Sequence, residues 1–207
     1  MSLDEVPLFR GAILSALPEK GDVVFHNHVG DSYRYTYPLV QYKSIDAKAA
    51  LFLLGEATDQ LMPLLQLSNQ RVNIGHRSVM LSVDRVYPSQ TEIGMADPVR
   101  YRIEQWLPLN EENDKEFLRL ESDEERFAFL ERMLTGNLLS MAKGLNFFFD
   151  EKVECHIESL DHYQHIVCKN IKMMAFDAVF TCNLSLPEYM GLGKHASFGY
   201  GLLKKIE

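Results

Sequence analysis

The sequence predicts an α+β fold made of two βαββ-type modules of roughly a hundred residues each. Period-two alternation in Tyr33, Arg34, Tyr35, Thr36 and Tyr37, and again from Val99 to Leu107, marks strands in both halves. A stripe of Phe127, Leu130, Met133, Leu134, Leu138 and Met141 at helical spacing marks one long amphipathic helix in the second half. The order strand, helix, strands that surrounds it has a counterpart in the first half. The junction is placed at Ala96-Asp97-Pro98, giving an N-terminal module over 1–96 and a C-terminal module over 97–207.

In chain order, Val6, Phe9, Ile13, Leu14 and Leu17 predict a short helix over Asp4 to Leu17, with Pro7 in its first turn and Pro18 at its end. Val23 to Tyr42 is rich in aromatic and β-branched residues and is broken by Gly30-Asp31, which predicts a hairpin. Ala49 to Leu54 reads as a buried strand, Glu56 to Leu67 as a helix limited by Pro63, and Arg71 to Val86 with Thr91 to Met95 as further strand. In the second module, Val99 to Leu107 sets Arg100, Arg102 and Glu104 against Tyr101, Ile103 and Gln105, a strand with one charged face. Residues 110 to 143 are helical in two pieces, the second opened by a capping arrangement of Ser122, Asp123 and Glu125. Lys152 to Leu160, Gln164 to Met174, Phe176 to Leu184 and Phe198 to Ile206 complete the strands.

Of the 207 residues 46% are hydrophobic and 24% charged, the balance of a globular protein. No apolar run approaches the roughly 20 residues that cross a bilayer, and no basic region followed by an apolar stretch opens the chain, so a cytoplasmic protein with no membrane partner is expected. Three cysteines without tight spacing make no disulfide framework, in keeping with a reducing compartment. The net charge of −8 weighs against nucleic acid, but it is concentrated: residues 111 to 132 hold nine carboxylates against four cations, a local −5 that leaves −3 elsewhere. Phosphate affinity follows the local field, so nucleic acid, if bound at all, is expected to lie away from that solvated acidic helix.

The C-terminal run Gly191-Leu192-Gly193-Lys194-His195-Ala196-Ser197-Phe198-Gly199-Tyr200-Gly201 sets two Gly-hydrophobic-Gly triplets around five residues that include a cation. Glycine admits positive φ and close backbone approach, so this loop is a candidate phosphate cradle; a glycine-rich turn feeding a buried strand is the alternative. His26 and His28, at i and i+2 in an extended segment, point to one side roughly 6 to 7 Å apart, a spacing suited to general base and general acid on one phosphate. An incidental pair around one structural histidine is the alternative there. Tyr33, Tyr35 and Tyr37 are aromatics of a half-buried strand, with base stacking as the sharper reading. The cluster Cys155, His156, His162, His165 and Cys168 lacks the spacings of a zinc site and reads as hairpin surface, so no metal and no cofactor are expected.

The glycine-rich run resembles the GhGxxxxxGhG signature of the CRISPR-associated RAMP endoribonucleases, Cas family six. Phe9-Arg10-Gly11, His26-Asn27-His28-Val29-Gly30-Asp31 and Tyr35-Thr36-Tyr37-Pro38-Leu39-Val40-Gln41-Tyr42-Lys43 are similar to the subtype b branch. The resemblance implies two tandem ferredoxin-like (RRM-like, βαββαβ) modules and a cytoplasmic hydrolase of antiviral defence. It would cut CRISPR precursor RNA at repeats without a metal, through 2′-OH attack and a 2′,3′-cyclic phosphate. It implies His26 and His28 as acid and base, Lys43 as the stabilising cation, and RNA backbone held by Gly191, Gly193, Lys194, His195, Gly199 and Gly201. Arg71, Arg77, Arg100 and Arg102 are phosphate contacts on the same reading. A non-catalytic RAMP-type RNA-binding or Cas-complex subunit is the alternative. The family opens on a strand before its first helix, whereas here the helix begins almost at Met1, so the N-terminal module is expected to lack its first strand. Open strand edges then invite a homodimer, and other Cas proteins are further expected partners.

Overall fold

The computed structural model describes residues 1–17, 37–168 and 171–207, together with the backbone of the strands at 28–29 and 32–33. The chain forms two compact units, one of Met1–Gln90 with Ser197–Gly199, the other of Thr91–Ala196 with Tyr200–Glu207.

In the first unit, a 3₁₀ turn at Leu3–Glu5 with a Ser2/Glu5 capping box leads into α1 (Val6–Ala16), with Pro7 in its first turn as expected. Three two-stranded antiparallel ladders follow rather than one sheet among the described residues: β1 (His28–Val29) with β2 (Ser32–Tyr33), β3 (Val40–Ile45) with β4 (Lys48–Leu53), and β5 (Arg71–Ile74) with β6 (Arg77–Met80). The apolar face of α1 packs on β3 and β5, and Val6, Phe9, Ile13, Val40 and Tyr42 build the core there. β4 is half-exposed rather than buried. The helix expected over Glu56 to Leu67 is a 3₁₀ segment (Gly55–Gln60) followed by the short α2 (Leu61–Leu65). A proline ring clashes with the carbonyl four residues back, so Pro63 is accommodated only in the first turn of an α-helix and leaves 55–60 in the tighter form.

In the second unit β7 (Gly94–Trp106) runs straight through the expected Ala96-Asp97-Pro98 junction. Its register against β9 (Ile171–Ser185) shifts between Met95 and Val99, where Pro98 has no N–H to give the ladder. Next come α3 (Glu111–Phe117), capped by Asn110, and α4 (Asp123–Gly144), capped by the Ser122/Glu125 box. Leu130, Leu134, Leu138 and Met141 bury as expected, with Phe129 in place of Phe127. The three strands expected between 152 and 184 are two long ones, β8 (Cys155–Cys168) and β9. Bulges between Ile157 and Ser159 and between Leu160 and His162 slip the side-chain alternation, which in the sequence looks like a break. The last strand, β10, is confined to Leu202–Lys205, because positive φ at Gly199 and Gly201 ends the extended backbone before it.

The four strands lie antiparallel in the order β10-β7-β9-β8, the ferredoxin-like arrangement, with α3 and α4 crossing between β7 and β8. Where that fold places its second helix, between β9 and β10, the chain carries the glycine-rich loop.

Candidate nucleic-acid interface

The loop is positioned by an irregularity in β7. Alternation places Tyr101 and Ile103 in the core, 1% and 0% exposed, and by the same count would turn Gln105 inward and Trp106 outward. Instead Gln105 adopts φ 49°, the register slips between Ile103 and Trp106, and Trp106 is fully buried. Asp177 on β9 holds the bulge, its Oδ1 accepting the Gln105 backbone N–H at 2.6 Å. Trp106 Nε1 donates to Asn137 Oδ1 of α4 at 2.9 Å.

Both ends of the loop rest on that stretch. Lys194 N donates to Leu107 O at 3.1 Å and Gly201 N to Gln105 O at 3.0 Å, while Leu192 N donates to Gly201 O at 2.9 Å across the loop. Gly191 bridges Leu202, and Gly193 bridges Leu107. Two glycines are dictated by space as well as φ. A Cβ on Gly193 would stand 3.0 Å from the Trp106 ring, and one on Gly201 would stand 1.8 Å from Leu192 O. Between them Lys194 projects its side chain outward, partial desolvation lowering its pKa, and His195, at φ 57°, lies with its ring 6.3 Å from that of Tyr200.

Ser197–Gly199, the loop tip, belongs to the first unit. Gly199, at φ 90°, sits against Tyr42 O and Lys43 Cα on β3. Arg10 from α1 stacks its guanidinium over the rings of Phe198 and Tyr42, at 5.2 and 5.8 Å. Lys43 is 0% exposed, its Nζ has no hydrogen-bond partner among the described residues, and burial pulls its pKa down to about 7. Tyr42 points its hydroxyl into a similarly unpartnered position, and burial raises its pKa to about 12.

The structure thus brings Lys43 and Gly199 together. His26 falls outside the described residues, and for His28 only its backbone in β1 is described. Arg71 is exposed on β5, and Arg77 on β6 is ion-paired with Glu5. Arg100 pairs with Glu158 at 2.8 Å and donates to Glu207 O at 2.9 Å, and Arg102 pairs with Asp161 and with Glu104 at 3.3 Å, so a phosphate at either would compete with a carboxylate. Of the histidine cluster, His156 meets Glu131 at 3.0 Å and His165 meets Asp114 at 3.3 Å. Among the described residues no three potential ligands gather around one point, and no helix is long and apolar enough to cross a membrane. Sequence reasoning gave no role to Trp106, Asn137, Asp177 or Arg10. Arg10 carried a signal, as the one charged side chain of α1, and so did Trp106, as the only tryptophan.

The second unit is thus ferredoxin-like, with a glycine-rich loop as its last connection. The Cas6b N-terminal domain profile matches residues 1–92 and the Cas6b C-terminal domain profile residues 95–206, so the chain belongs to the Cas6b family. A crystal structure of Cas6b superposes with a TM-score of 0.87 at 25% identity, covering 100% of this chain and 94% of that one. A crystal structure of the CRISPR RNA processing endoribonuclease Cas6b gives 0.70 at 24% identity, over 100% and 93%. A Cas6 crRNA endonuclease of a type IV CRISPR-Cas system gives 0.59 at 16% identity, over 99% and 92%. An uncharacterized protein of Methanocaldococcus jannaschii is 34% identical over 119 residues, 56% of this chain and 79% of that protein. The fold is of the Cas6 double ferredoxin-like type.

Proposed function

We propose that the chain is an endoribonuclease that cleaves CRISPR precursor RNA at its repeats without a metal ion. The observation that supports this most is the placement of Lys43, an amine withdrawn from water, its pKa pulled down to about 7, on the strand against which the glycine-loop tip rests. In such surroundings a positive charge acts on a developing phosphate charge far more strongly than it does in water. The full-length likeness to a CRISPR RNA processing endoribonuclease points to the same substrate.

On this reading the ribose 2′-oxygen attacks the adjacent phosphorus, the P–O5′ bond breaks, and the products carry a 2′,3′-cyclic phosphate and a free 5′-OH. Of His26 and His28, one takes the 2′-OH proton and the other gives a proton to the departing 5′-oxygen. Lys43 offsets the extra negative charge on the phosphate as the fifth bond forms. Gly191, Gly193, Lys194, His195, Gly199 and Gly201 hold the RNA backbone, and Arg71, Arg77, Arg100 and Arg102 supply outlying phosphate contacts. Other Cas proteins and a second copy of the chain are its further partners.

Incubation with a hairpin repeat RNA in EDTA should yield 2′,3′-cyclic phosphate ends, and His26→Ala combined with His28→Ala should abolish them. Cleavage that stops on chelation would overturn the metal-free mechanism. A second reading, a non-catalytic RNA-binding subunit, is favoured by the complete burial of Lys43, which keeps its amine from a phosphate in solvent. It predicts RNA binding by the wild type with no cleavage, and binding that survives loss of both histidines.

A further inference from the structure

We propose that Asp177 is the positioning residue of the glycine loop: by holding the bulge at Gln105 it fixes the Trp106 ring and the backbone seats on which the loop rests. The inference builds on the reading of that loop as an RNA-backbone clamp, but the arrangement stands on geometry alone. Positive φ at a glutamine is uncommon and disfavoured, and it persists only where the surroundings impose it. Here the imposing contact is the short bond from Gln105 N to Asp177 Oδ1, with Gln105 Nε2 at 3.5 Å from the same oxygen.

Three consequences of the bulge converge on the loop. It reverses the face of Trp106, so that the indole enters the core and lies where a Cβ on Gly193 would have to go. It presents the Gln105 carbonyl to the Gly201 amide, and one residue later the Leu107 carbonyl to the Lys194 amide. The two amides that close the loop are therefore both received by the stretch that Asp177 shapes. A regular ladder through Gln105 would slip this stretch by one residue and remove both acceptors together. Among the charged groups nearby is Arg102, which pairs directly with Asp161 and Glu104 and feels Asp177 only as a further negative charge, which Asp177→Asn removes while keeping the acceptor oxygen.

Trp106 is the only tryptophan, so its emission reports this site alone. Asp177→Ala should shift the emission to longer wavelength and increase quenching by acrylamide, well below the melting temperature. It should also speed amide exchange of Lys194 and Gly201 roughly tenfold or more and weaken binding of a repeat RNA by a similar factor. Asp177→Asn keeps the accepting oxygen and should restore all three. Ser122→Ala, which removes the cap of α4, is the control: it lowers stability without moving Trp106 emission or loop exchange. Unchanged emission and loop exchange in Asp177→Ala, or the same changes in Ser122→Ala, would overturn the assignment. A wild type that binds no RNA would sink the clamp reading while emission and exchange still decide the role of Asp177.

Discussion

The Cα of Lys43 lies 3.6 Å from the point where a side-chain carbon on Gly199 would stand, with the Tyr42 carbonyl at 3.3 Å and Leu3 Cδ1 at 2.9 Å from the same point. The loop tip and the edge of β3 are in backbone-to-backbone contact, at a φ that L-residues avoid. Gly199→Ala should therefore lower stability by about 1–3 kcal/mol. It should also weaken RNA binding, because the tip must lift from β3. Chemical denaturation and an RNA titration measure the two effects.

Lys43 couples stability to pH. Its pKa falls from 10.5 in a free chain to about 7 when buried, so between these values the unfolded chain holds a proton that the folded one lacks, and stability rises with pH. Below pH 7 the penalty is complete, on the order of a few kcal/mol. Lys43→Met should accordingly be the more stable protein at neutral pH, with an advantage that shrinks as the pH is raised towards 10.5. Its cleavage of repeat RNA should fall by about a hundredfold or more. Melting curves from neutral to alkaline pH, set beside rates on the same preparations, test both halves. A stability gain independent of pH would show that the ammonium is not the source.

Arg10 joins α1 to the loop tip through the Phe198 ring and to β3 through the Tyr42 ring. Such contacts contribute about 0.5–2 kcal/mol. Arg10→Ala should cost stability in that range, and Arg10→Lys should recover only part of it, since an ammonium cannot lie flat on a ring. Double-mutant cycles with Phe198→Leu isolate the pair.

Glu131 guards an edge. Its Oε1 accepts the backbone N–H of Ile157 at 2.9 Å on β8, one of the two outer strands of the four. An unpaired strand edge is a template for another chain. Glu131→Ala should lower stability by about 1 kcal/mol and increase concentration-dependent self-association in sedimentation velocity, whereas Glu131→Gln, which keeps the acceptor, should do neither.

The readable parts of this fold were those set by local pattern. The cap at Ser122, the stripe of α4 and the alternation of β7 up to Ile103 all follow from side-chain periodicity and hydrogen-bonding capacity within one or two turns. What escaped was set by partners distant in sequence. The β7 bulge depends on Asp177, 72 residues away, and it alone decides that Trp106 and not Gln105 faces inward. The bulges of β8 hid one long strand behind two apparent short ones. At the site, the glycine loop was legible because positive φ and crowding demand glycine itself. Asn137 was not, since a helical Asn looks the same whether it faces solvent or an indole.

The tripeptide Ser197–Gly199 lies near the C-terminus yet completes the unit formed by the first ninety residues. No single cut in the chain therefore yields two whole halves: a fragment ending at Gln90 lacks the piece that lines the edge of β3, and the complementary fragment carries that piece with nothing to rest on. During synthesis the first unit must wait for that piece until residues 197–199 have left the ribosome. An exchange of C-terminal segments between two copies would satisfy the same edge.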